Sequence, residues 1–62
     1  MKVRFNYRGF RVELVDRRPG GWSYTISSGG ACSTGIFLTD DLDEAKYRAR
    51  KFIDDVIEME VM

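Results

Sequence analysis

Sixty-two residues make one small domain, spanning 1–62, near the lower limit at which a lone core offsets the conformational entropy of the chain. Ten lysines and arginines balance ten aspartates and glutamates, which excludes the strongly basic balance of a general nucleic-acid coating protein but leaves room for a basic face. An apolar content of 44% with 32% charged residues is too hydrophobic for a disordered tail, the lone Cys32 excludes an internal disulfide, and the lack of histidine removes the commonest general base.

At the start of the chain Val3, Phe5 and Tyr7 alternate with Lys2, Arg4 and Asn6, the period-two pattern of a half-buried strand. The same stretch has no apolar run and reads as neither a signal peptide nor a membrane anchor. Phe10, Val12 and Leu14 repeat the pattern with opposite parity. A two-residue turn at Arg8-Gly9 reconciles the two segments. It pairs Tyr7 with Phe10, Phe5 with Val12 and Val3 with Leu14 on one face, and sets Arg4 opposite Glu13 on the other. A bulged turn with Gly9 at positive φ satisfies the pattern equally well. Asp16-Arg17-Arg18-Pro19-Gly20-Gly21 has the composition of a connecting loop. Trp22, Tyr24 and Ile26 then alternate with Ser23, Thr25 and Ser27 as a third strand. A turn at Gly29-Gly30 puts Trp22 across from Phe37 and Tyr24 over Gly35, which predicts a fourth strand near Thr34 to Leu38. The glycine-rich run before it specifies that register only weakly.

The period changes after Thr39. Leu42, Ala45, Ala49, Phe52, Val56 and Met59 recur at steps of three and four, with Ile53 and Ile57 widening the stripe, so an amphipathic helix is expected from Asp41 to about Glu60. Asp41 and Glu44 have capping-box spacing, and Thr39, Asp40 and Asp41 are each able to accept an orphan amide. Glu44 and Arg48 make a favourable i,i+4 pair, whereas Asp54, Asp55, Glu58 and Glu60 oppose the helix dipole. The resulting fold class is α+β, a three- or four-stranded antiparallel meander followed by one C-terminal helix packed on its apolar face.

The residues offer little for catalysis. The acids Asp40, Asp41, Asp43 and Glu44 fit helix capping better than any calcium loop, and Cys32 lacks an activating base or neighbouring cation. No enzyme activity, metal or cofactor is therefore expected, and with a single cysteine the expected location is the cytoplasm, with no membrane partner.

Charge distribution says more. Residues 1–31 hold six basic side chains against two acidic ones, and residues 32–62 hold four against eight. The exposed sheet face is expected to gather Arg4 and Arg11 with Asn6, Ser23 and Thr25, with Arg8, Arg17 and Arg18 at its rims, as a surface for DNA or RNA. The rival expectation is a basic protein partner docking on Asp54, Asp55 and Glu58. A helix of such length, at ~1.5 Å per residue, is also expected to overhang strands of about six residues. That overhang exposes Val56, Ile57, Met59 and Val61 as a homodimer interface.

The order Tyr7-Arg8-Gly9-Phe10, then Gly20-Gly21-Trp22-Ser23-Tyr24-Thr25-Ile26, then Thr34 to Thr39, then Asp43 to Ala49 resembles the plant ethylene-response-factor DNA-binding domain and the related arm-binding domains of phage integrases. The resemblance implies a three-stranded sheet packed on one helix and entering the major groove, with Arg8 and Arg11 at matching positions. Gly30 to Gly35 with Asp43-Glu44-Ala45 is similar to HicB-type antitoxins, which implies a toxin protein as partner; Ile36 to Asp41 stand as an insertion in that pattern. A looser likeness, through Tyr7-Arg8-Gly9, Trp22 and Ile53-Asp54, is to small bacterial proteins with no activity to transfer.

Overall fold

The computed structural model describes the backbone of residues 1–61 and the side chains of residues 1–59. Strands β1 (Lys2–Tyr7), β2 (Phe10–Asp16), β3 (Trp22–Ser28) and β4 (Ala31–Phe37) form one antiparallel sheet in the order β1-β2-β3-β4, and helix α1 (Leu42–Val61) follows. The fold is α+β. The fourth strand departs from the three-stranded sheet implied by the ethylene-response-factor resemblance.

Both short turns have positive φ at their two central residues, 52° and 86° at Arg8-Gly9 and 54° and 94° at Gly29-Gly30. That is the two-residue primed turn whose twist matches the flanking strands, so the bulged alternative at Gly9 is not the one adopted. The turns set the expected register: Tyr7 pairs with Phe10, Phe5 with Val12 and Val3 with Leu14, while Trp22 pairs with Phe37 and Tyr24 with Gly35. Strand β4 starts at Ala31 rather than near Thr34, because the Gly29-Gly30 turn allows pairing to begin at once with Ser28 and Ala31. It ends before Leu38, where the Thr39 N–H donates to the Phe37 carbonyl at 2.8 Å and bends the chain out of the ladder.

Side-chain parity assigns the two faces. Val12, Leu14, Trp22 and Ile26 of the central strands are buried together with Ala45, Ala49 and Ile53 of α1, and Val3, Phe5, Phe10, Tyr24, Phe37 and Phe52 pack around them. The helix crosses β2 and β3 on this face, its small alanines allowing close approach. Tyr24 lies flat over Gly35 and stacks on Phe37 with ring centroids 4.3 Å apart, filling the space that a glycine leaves in the sheet. At the helix start the Asp41 carboxylate accepts the Asp43 N–H at 2.9 Å, and Thr39 Oγ1 accepts the Asp41 N–H at 3.2 Å. Thr39 thus replaces Glu44 as the second member of the expected box, and Glu44 turns instead to Arg48 at 3.7 Å.

Candidate nucleic-acid interface on the open sheet face

The helix covers one side of the sheet and leaves the other uncovered. Cross-strand pairing arranges that open side in three rows: Lys2, Val15, Ser23 and Ile36; Arg4, Glu13, Thr25 and Thr34; Asn6, Arg11, Ser27 and Cys32. The expected face is thereby extended by Lys2, Ser27 and Thr34. Two shallow depressions of about 600 and 500 Å³ lie on it, and Asn6 and Arg11 line both.

The structure does not bring the five candidate arginines, Arg4, Arg8, Arg11, Arg17 and Arg18, together on one face. Arg4, Arg11 and Arg17 belong to the open face. Arg4 Nε donates to Glu13 Oε2 at 2.8 Å, and Arg17 Nε reaches the Ser23 hydroxyl at 3.4 Å. Arg11 is exposed and has no ion pair among the described residues.

Arg8 and Arg18 turn to the helix side. The left-handed backbone at Arg8 directs its guanidinium to Asp54, at 2.8 Å, and Tyr7 Oη donates to the same carboxylate at 3.1 Å. These hydrogen bonds hold the Asp54 carboxyl below the usual carboxylate range, and the arginine is raised in turn. Arg18 grips Asp16 with two parallel bonds, at 2.9 and 2.7 Å, and its backbone N–H donates to Asp16 at 2.9 Å. The side-chain bonds first, then the backbone bond, push the Asp16 carboxyl far below its usual range. The guanidinium lies 5.2 Å from the centre of the Trp22 ring, so Arg18 closes the end of the core.

The Asp16-x-Arg18 spacing carries a local signal for its pair, since aspartate commonly accepts a backbone N–H two residues on. The Arg8–Asp54 pair joins residues 46 positions apart and has no such signal. It also gives Asp54 a role inside the chain, leaving Asp55 and Glu58 as the exposed acids of the described helix end. Of the four side chains expected at a helix-end interface, Ile57 packs against the core, Val56 is half-buried, Met59 is 77% exposed, and Val61 lies outside the described side chains.

Among the described residues no helix is long and apolar enough to cross a membrane, and no group of three or more acids and cysteines is gathered as metal ligands. Comparison with protein-family models, curated proteins and solved structures finds no match.

Proposed function

We propose that the protein is a small, non-enzymatic, cytoplasmic binding module that contacts nucleic acid through the open face of its sheet. The observation that carries this reading is the charge of that face: Lys2, Arg4, Arg11 and Arg17 stand against the single acid Glu13, among the hydroxyls of Ser23, Thr25, Ser27 and Thr34. Arginine on a flat sheet presents its planar fork to phosphate oxygens, and serine and threonine add donors that set register without reading sequence. Arg11, without an ion pair among the described residues and lining both depressions, is the principal contact.

With Arg4 held by Glu13 at 2.8 Å, three phosphates neutralised by Lys2, Arg11 and Arg17 give a log–log salt slope of about −2.7 on duplex DNA and about −2 on single strands. Fluorescence titration at several salt concentrations measures it. Arg11→Ser is expected to reduce the slope by about one phosphate, ~0.9 on duplex, while Arg8→Ser and Arg18→Ser leave the slope unchanged. No binding to duplex or single strands at low salt sinks the reading.

A further inference from the structure

The sheet has two edges with different chemistry. A two-residue turn closes on a pair of residues that exchange both backbone hydrogen bonds, and such pairs alternate along an antiparallel ladder. From the Gly29-Gly30 turn, Ala31, Ser33, Gly35 and Phe37 therefore bond to β3, and Cys32, Thr34 and Ile36 turn their N–H and C=O groups to the open edge. The same alternation counted from Arg8-Gly9 makes Met1 and Asp16 a bonded pair, and the Asp16 N–H does donate to the Met1 carbonyl at 3.0 Å.

Edges of this kind are normally guarded by charge, proline or a bulge. Strand β1 carries Lys2 and Arg4. Strand β4, Ala-Cys-Ser-Thr-Gly-Ile-Phe, has no charge, no proline and an unbroken register of seven pairs. Its borders are apolar: Ile36 is 56% exposed and Leu38 81%. On the helix side, the small residues Ala31 and Ser33 leave a groove of about 260 Å³ between the strand and α1, lined also by Phe10, Ile26, Phe52 and Val56.

We propose that two copies of the chain pair antiparallel through their β4 edges, about a two-fold axis at Thr34, making one continuous sheet of twice the four strands. An edge without charge accepts an equally uncharged strand, and of the two edge strands among the described residues β4 meets that condition while β1 carries Lys2 and Arg4. In this register Thr34 faces Thr34, Cys32 faces Ile36, and Leu38 falls opposite Gly30. The bonding groups of Cys32, Thr34 and Ile36 meet the same groups of the other copy. Phe37 comes opposite Ala31, beside the mouth of the groove. The outer edges of the pair are then the two β1 strands, whose lysine and arginine side chains stop further addition, so the assembly closes at two.

Sedimentation equilibrium without nucleic acid, from micromolar to near-millimolar protein, is expected to show a monomer–dimer equilibrium. Thr34 is exposed on the open face, so Thr34→Lys leaves the monomer intact but sets lysine against lysine at the axis, weakening the dimer at least about tenfold. Amide exchange of the unmodified protein provides a second readout: the Cys32, Thr34 and Ile36 amides gain protection as concentration rises. A monomer at every concentration, free exchange of those amides in the dimer, or a dimer lost with Met59→Lys and kept with Thr34→Lys overturns the proposal. None of these outcomes depends on whether the open face binds nucleic acid.

Discussion

Two glycines illustrate how differently the same residue type is used. A Cβ added at Gly21, where φ is +101°, would overlap the Phe37 carbonyl oxygen, a backbone atom with no room to withdraw. Gly21→Ala combines that overlap with left-handed strain and is expected to cost at least about 3 kcal/mol. That is a large share of the stability of so small a domain. At Gly35 the obstacle is the Tyr24 ring, with its hydroxyl oxygen 2.6 Å from the added Cβ. A ring swings aside where a carbonyl does not, so Gly35→Ala is expected to cost about 1–3 kcal/mol, chiefly through the lost stack on Phe37. Urea denaturation of both variants checks the order. Asp41→Ala removes the acceptor of the Asp43 N–H and is expected to cost about 1 kcal/mol in the same experiment.

Among the elements, the helix is the one whose contacts extend furthest beyond its own pattern. Ala45, Ala49 and Ile53 are fully buried on the strands, and their small-small-large order sets how closely α1 lies on β2 and β3. Ala49→Leu keeps the apolar pattern and gives up little helix propensity, yet it is expected to destabilise the protein by about 1–3 kcal/mol because the inserted atoms meet a filled sheet. A thermal melt followed by circular dichroism decides; an unchanged midpoint would mean the helix stands further from the sheet. The strands, by contrast, were largely legible in the sequence. Alternating apolar residues and two short turns set Val3 against Leu14 and Trp22 against Phe37 without any long-range information. What escaped was the start of β4, because Ala31, Cys32 and Ser33 carry no strong alternation and only the ladder itself recruits them.

For the molecule as a whole, the ion pairs at both ends of the sheet predict acid sensitivity. Asp16 and Asp54 have carboxyl groups depressed in the folded state, by Arg18 and by Arg8 with Tyr7. Their contribution is fully present above the unfolded carboxylate value, about 4, and is lost progressively as pH falls below it toward the folded values. The melting temperature is therefore expected to drop between pH 5 and pH 2, by less in Asp16→Asn and Asp54→Asn, whose side chains do not titrate. Equal drops in all three proteins would show that other carboxylates carry the effect.

The sequence by itself determined the period of each element, the positions of the candidate turns and the apolar face, because these depend on neighbours a few residues apart. The positive φ values at both turns and the seven-pair β3–β4 ladder decided the turn form and the register that the sequence left open. Only the tertiary structure decided which face each arginine joins and which carboxylate it meets. Arg8 is committed to a carboxylate 46 residues away, Arg18 to Asp16 and the end of the core, and Arg4 to Glu13 across the strands, while Arg11 and Arg17 stand on the open face with no ion pair among the described residues. A one-dimensional count of charge contains the number of basic groups but not their distances to acids, and electrostatic energy depends on distance.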